Sequence, residues 1–392
     1  MNTFNNNVIS MAMDRVNNPL NDAYPDNISV VDIQNIPGFT YLISPDPNGT
    51  PGDMNDQLHP NDKGYTKLAN AWFDAIKNYL GVPAKITLQP QTVSAIEGNS
   101  VQFKVTVEGS QPISYQWKKN GNNIVGEINS TLILNNIPIS ENGSSYSCEV
   151  SNKTASLESD TAKLIVTNLN DRVDYGEIVH YDFNEGFDTK IHDTSIINDS
   201  LNLIINSEND VQWQPKSLDS FGASGINSQN PATKLFNYLT QSDEMTFEIW
   251  LKAKNSAAQN LSRIATYSNS QNDLNFSLLQ NQYQYEFRLR TDQTDNSGKA
   301  LLSNSLQSNL DKITHLVYTY DAEDTARLFV NGNLVSIIEI KGSFANWDST
   351  YLFGIANEFN ESLSWLGSYF LLGIYDRALS NSEISHNYSI GV

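Results

Sequence analysis

Arg327-Leu328-Phe329-Val330-Asn331-Gly332-Asn333-Leu334-Val335 sets two apolar runs on either side of an Asn-Gly pair. A two-residue turn of type I′ needs positive φ at both central positions, which Asn and Gly tolerate best, so the stretch is expected to form an antiparallel hairpin. Working outward, Thr246-Phe247-Glu248-Ile249-Trp250-Leu251-Lys252, Tyr283 to Leu289 and His315-Leu316-Val317-Tyr318-Thr319-Tyr320 have the length and the aromatic and β-branched content of further strands. The segment from Tyr175 to Val392 should hold more than about ten strands, which implies an all-β jelly-roll sandwich.

This segment, residues 172–392, resembles a laminin-G-like, concanavalin-type lectin/glucanase domain. The likeness rests on Tyr181-Asp182-Phe183-Asn184-Glu185-Gly186, on Phe247-x-Ile249-Trp250, on Val330-Asn331-Gly332, and on Trp365-Leu366-Gly367 with Ile374-Tyr375-Asp376-Arg377-Ala378-Leu379-Ser380. After that last string a short closing turn is expected over residues 381–388. The resemblance implies a module that binds glycan or protein, and some such domains hold calcium with Asp and Asn oxygens, a hard-cation donor set. Asp182, Asp188 and Asp193 are the candidate acids, without the spacing of an EF-hand loop and against the commoner role of such residues in a turn or on a solvated face. Trp213, Trp347 and Trp365 are candidates for stacking on sugar rings, against the commoner core role of aromatic residues in sandwiches.

Residues 84–168 show a second, smaller set of alternating strands. Val101, Phe103, Val105 and Val107 share one face, followed by Ile113, Tyr115 and Trp117, then Leu132 and Leu134, Tyr146, Cys148 and Val150, and Ala162, Leu164 and Val166. The pattern resembles an immunoglobulin-like sandwich, with Trp117 as the buried Trp and Tyr146-x-Cys148 as the tyrosine corner. Phe103 stands where the partner Cys would be. Cys148, the single cysteine, is therefore expected to be a buried, inert hydrophobe with no disulfide.

Residues 1–81 carry Asp56-Gln57-Leu58-His59-Pro60-Asn61-Asp62-Lys63-Gly64-Tyr65 ahead of the apolar positions Leu68, Ala71, Trp72, Phe73 and Ile76. A hydroxyl nucleophile needs an imidazole to take its proton and a carboxylate to orient that imidazole. The D-x-x-H-P-N-x-x-G-Y string resembles the last block of SGNH/GDSL hydrolases, the carbohydrate esterases among them, which implies Asp56 and His59 as catalytic acid and base. It also implies a partial α/β, flavodoxin-like fold. A helix within residues 4–16, a buried strand at Ile28, Val30 and Val31, and a helix from Thr66 to Leu80 agree with that arrangement. The bland alternative is a polar loop capping a helix, with Asp62 as N-cap. No G-D-S or G-x-S-x-G nucleophile motif accompanies Asp56 and His59: Ser10, Ser29 and Ser44 are the only serines before His59.

A net charge of −20 over 392 residues excludes nucleic acid as an expected partner. No run of 18 apolar residues is present, so no membrane-spanning helix is expected. Met1 to Asn7 lacks the basic and apolar regions of a signal peptide, so an export signal is expected further upstream in a longer chain. His180, His192, His315 and His386 are scattered with no zinc-binding spacing, and no glycine-rich phosphate loop occurs. The expectation is thus the C-terminal portion of a secreted, modular, monomeric polysaccharide esterase. It needs no cofactor, has a glycan-targeting jelly roll, and is inactive as this chain for want of a serine. The alternative is a non-catalytic extracellular glycan-binding or adhesion protein.

Overall fold

The computed structural model describes residues 52, 54, 60–197, 199–254, 261–303, 312–359 and 363–392, without the side chains of 74–80. They divide into two compact units. The first is drawn from residues up to 163; the second comprises 164–392 with the segments 92–101 and 134–144.

In the first unit the helix expected from Thr66 to Leu80 forms and begins one turn earlier, as Asp62–Leu80. Its cap is Asn61 and not Asp62. Asn61 is extended, its Oδ1 accepts the Gly64 amide at 3.0 Å, and its Nδ2 donates to Gly52 O at 2.9 Å. Asp62, in the first turn, instead places its charge against the positive end of the helix dipole. A flavodoxin-like remnant finds no support. Among the described residues the first strand is Lys85–Leu88, and the sheets that follow are built from antiparallel ladders apart from one parallel pair; a doubly wound domain needs a parallel sheet covered by helices on both faces. The helix expected within 4–16, the strand at 28–31, and Asp56 and His59 lie outside the described residues.

The immunoglobulin-like sandwich follows. One set of strands joins Asn122–Asn123, Ser114–Lys119, Ser145–Ser151 and Ser156–Glu158, and Val93–Ile96 pairs in parallel with Ala162–Thr167. Trp117 lies opposite Cys148 in register, is fully buried, and donates from Nε1 to Asn129 O at 2.8 Å. Phe103, which stands in the sequence where a second cysteine would, is buried. Its ring stacks on Tyr146 with centroids 4.8 Å apart and lies 6.3 Å from the Trp117 ring. Burial pushes the Cys148 thiol up to about 11, so it should resist a thiol-disulfide reagent at pH 8 and react at once in denaturant. Fast labelling of the native chain would contradict this reading.

Within the second unit, strands between Glu177 and Tyr375 build a jelly roll of two eight-stranded sheets. The first runs Val211–Gln214, Ser217–Ser220, Gly367–Tyr375, Met245–Ala253, Thr314–Tyr320, Thr325–Val330 and Asn333–Glu339, with Glu177–Tyr181 also on Gly367–Tyr375. The second runs Lys190–Ile191, Leu203–Ile205, Ile226–Asn227, Leu352–Ile355, Ser262–Ser270, Asp273–Asn281, Gln284–Leu289 and Lys299–Leu302. Inward residues of both sheets, such as Phe247, Ile249, Tyr318, Phe276, Phe287 and Phe353, form one core. Trp347 and Trp365 belong to it, each with its indole N–H on an internal acceptor, Arg290 O and Gln280 Oε1, both at 2.7 Å.

The Asn331-Gly332 turn forms as expected, with φ of 52° and 74°. A Cβ on Gly332 would also fall 2.9 Å from the Tyr388 ring. Gly332→Ala should therefore lower stability by about 1–3 kcal/mol, read as a shifted urea midpoint; an unchanged midpoint would refute the turn assignment.

The closing segment differs from expectation. Instead of a short turn it is the helix Asn381–Ile390, started by a capping box in which Ser380 and Glu383 bond each other's backbone amides. The helix lies on the outer face of the first sheet, where Val173, Val317, Phe329, Tyr375, Leu379 and Ile384 make a second small core. Covering that face buries Glu248, whose strand alternation points it away from the main core. Its carboxylate accepts from Arg172, from Tyr375 OH at 3.1 Å, from Asn387 Nδ2 at 2.9 Å, and contacts His315 Nε2 at 2.8 Å.

Candidate functional site

A cleft of about 600 Å³ opens beside the first strands of the second sheet, lined by Lys190, Asp199, Ser200, Asn202, Ser228, Gln229, Asn230 and Thr233 among others. Its walls are set by local chemistry. Lys190–Ile191 pairs with Leu203–Ile205, and the loop between them is organised by Asp193. Both oxygens of this carboxylate are used: Oδ1 accepts the amides of His180 and Ser195, each at 3.1 Å, and Oδ2 accepts the Leu201 amide at 2.9 Å.

The other partner of Oδ2 is Lys234 Nζ at 2.7 Å, a salt bridge with both side chains almost wholly buried. Lys234 stands in the first turn of the helix Thr233–Ser242 and also donates to Ser195 Oγ and Ile197 O. Burial pushes the Asp193 carboxyl up, but the Lys234 ammonium and the backbone amides outweigh it and hold the group below the usual carboxylate range. The opposite wall is pinned to Leu352–Ile355 and the residue before it: Ser228 N donates to Phe353 O at 2.8 Å, and Ala232 N to Tyr351 O at 2.9 Å. Asn202 turns its Oδ1 to the Asp193 amide.

The cleft's lining carries amide side chains, hydroxyls, the carboxylate of Asp199 and the ammonium groups of Lys190 and Lys234. Such groups make hydrogen bonds to a polyhydroxylated ligand.

The three acids proposed from sequence are not brought together. Asp193 is structural, Asp188 caps the Lys190 amide and lies 3.2 Å from His192 Nε2, and Asp182 accepts from Asn184 Nδ2 at 2.7 Å. Trp213 is half-buried and donates to Asp188 O. A second cleft, of about 420 Å³, holds Asp243, Asp292, Asp321 and Asp324. Their oxygens are engaged by Phe344 N, Ser343 N, Arg327 and Gly342 N, respectively, and so serve loop geometry. Among the described residues no group of three or more His, Cys, Asp or Glu is placed to hold a metal ion. Sequence reasoning missed Lys234. The available signal was its position beside Leu235 on the buried side of an amphipathic helix.

These features sit in a recognisable setting. Residues 224–385 match the model of the concanavalin A-like lectin/glucanases superfamily. Residues 83–152 match an immunoglobulin domain model. Neither model reaches residues 1–81, and the hydrolase reading of that segment finds no support. No curated protein matches the chain.

Among solved structures, the binding domain of botulinum neurotoxin serotype D/C is similar at 16% identity and a TM-score of 0.43, covering 55% of this chain and 52% of that one. The receptor binding domain of the C/D mosaic serotype is similar at 20% identity and 0.42, with coverages of 55% and 52%. A botulinum neurotoxin type C structure, whose cell entry depends on two ganglioside molecules, is similar at 15% identity and 0.45, with coverages of 56% and 52%. The chain spans about half the length of these structures.

Proposed function

We propose that this chain is a non-catalytic glycan-binding protein, with its concanavalin-like domain as the binding module and its immunoglobulin-like domain as a spacer. The observation that carries the reading is the cleft framed by the buried Asp193–Lys234 pair, with Asn202, Gln229 and Asn230 along its lining. Amide side chains both donate and accept, which suits vicinal hydroxyls, and a frame fixed before binding lowers the entropy that binding must overcome. The proposal includes a location outside the cell or at its surface, where such a partner is met.

The test is affinity electrophoresis of the whole chain through gels containing soluble polysaccharides. At least one polysaccharide should retard it. Asn230→Ala should weaken that retardation by about three- to tenfold, the worth of one lost hydrogen bond. A chain that ignores a broad panel of glycans would defeat the proposal. So would an Asn230→Ala variant with unchanged mobility, as far as the cleft is concerned.

A further inference from the structure

The strand Gly367–Tyr375 is flanked on one side by two different strands placed end to end. Ser217–Ser220 pairs with it as far as Leu218 opposite Tyr369, and Glu177–Tyr181 takes over with Tyr181 opposite Leu372. Phe370 and Leu371 face the gap between the two. On the other side of the strand the register slips at the same point, since Trp250 pairs with Leu371 but Leu251 with Tyr369. Phe370 is therefore the extra residue of a β-bulge, a device that re-aims side chains. Its consequence here is that Phe370 and its neighbour Leu371 both line one cleft of about 330 Å³, although successive residues of a regular strand face opposite ways.

The gap brings polar groups to the same place. Asp182 directly follows Tyr181, Lys216 directly precedes Ser217, and both line the cleft with Asn184. Between Asp182 and Asn184 the buried Phe183 takes a φ of 48°, a left-handed conformation uncommon for an aromatic residue. Two independent backbone irregularities thus converge on one cavity. It has an aromatic and aliphatic floor, a carboxylate already bonded to an amide, and an exposed ammonium on its rim.

We propose that this cleft is a sugar-ring subsite that takes a single pyranose, its apolar C–H face on Phe370 and its hydroxyls toward Asp182, Asn184 and Lys216. The size lies at the small end for ligand sites, and an apolar surface with a few convergent polar groups is the usual make-up of such sites. A carboxylate and an ammonium on one rim complement hydroxyls, which accept and donate, better than they complement a ligand of single charge. The inference rests on the glycan-binding reading of the domain but uses none of the residues of the Asp193–Lys234 cleft.

The experiment is saturation-transfer NMR on the whole chain with methyl β-galactopyranoside, methyl β-glucopyranoside and methyl N-acetyl-β-glucosaminide as probes. At least one should receive saturation, strongest at the ring protons of its apolar face. Phe370→Ala should weaken binding by about tenfold, and Phe370→Tyr should retain it. Lack of transfer to all three probes, or transfer unaffected by Phe370→Ala while Phe370→Tyr is folded, would overturn the proposal. So would Lys216-dependent binding of decanoate in place of the sugars, which would reassign the cleft to an apolar carboxylate. Loss of polysaccharide retention in Asn230→Ala with monosaccharide transfer intact would remove neither site. The converse pattern, with retention lost only in Phe370→Ala, would keep this subsite and discard the Asp193–Lys234 cleft.

Discussion

Glu248→Ala is expected to destabilise the jelly roll by about 3–5 kcal/mol, because it takes from the largely buried Arg172 its bonded counter-charge and orphans donors from Tyr375 and Asn387. Those donors come from a linker residue, a sheet strand and the last helix, so one truncation loosens three elements. Glu248→Gln should cost less, since the amide oxygen still accepts from some of these groups. Urea unfolding followed by far-UV circular dichroism reads both, and an Ala variant within about 1 kcal/mol of the parent would remove the network from any account of stability.

The same carboxylate sets an acid limit. Burial pushes Glu248 up, but the Arg172 charge and the His315 contact outweigh burial and hold it well below the usual range. A folded pKa below the unfolded value of about 4.3 means the contribution is complete above that value and is lost as pH falls through the acid range. The parent should therefore lose stability more steeply than Glu248→Gln between about pH 5 and pH 2. Parallel acid limbs for the two proteins would show that Glu248 carries no linkage.

Asp193→Ala is the second large effect, again about 3–5 kcal/mol, since Lys234 would be left charged and buried and three amides would lose their acceptor. The consequence for binding follows from the frame. With the loop before Leu203 released, retention on polysaccharide should disappear altogether, whereas Asn230→Ala should weaken it at parental stability. If Asp193→Ala were destabilised yet bound glycan normally, the cleft would not be the binding site.

What could be read from residues alone was what short-range chemistry decides. Asn331-Gly332 specifies its own turn, Trp117 and Tyr146-x-Cys148 specify a sandwich corner, and the helix after Asn61 follows from spacing. Strand order could not be read. Met245–Ala253 finds both of its neighbours, Thr314–Tyr320 and Gly367–Tyr375, far along the chain, and no local signal selects them. The last helix reads as a turn in the sequence because Asn381–Ile390 has few apolar positions and is held by its cap and by polar pairs. Missing it hid the burial of Glu248, which otherwise reads as an exposed charge on a strand. The candidate cleft was equally opaque, since asparagine is so common in this chain that Asn202 and Asn230 do not stand out. Asp193 stands out in the sequence as a candidate calcium ligand against the commoner role in a turn, and the structure gives it the latter, as the anchor of a loop.

The residues gathered at Glu248 also bear on how such a module travels between proteins. Arg172 donates to Asn387 O, and Val173 N donates to Asn387 Oδ1 at 2.9 Å, so the chain enters and leaves the jelly roll at one spot. A domain whose two ends meet can be spliced into a host loop, or cut and rejoined as a circular permutant, without stretching either sheet. The carboxylate that stabilises the fold thereby also makes it a portable cassette.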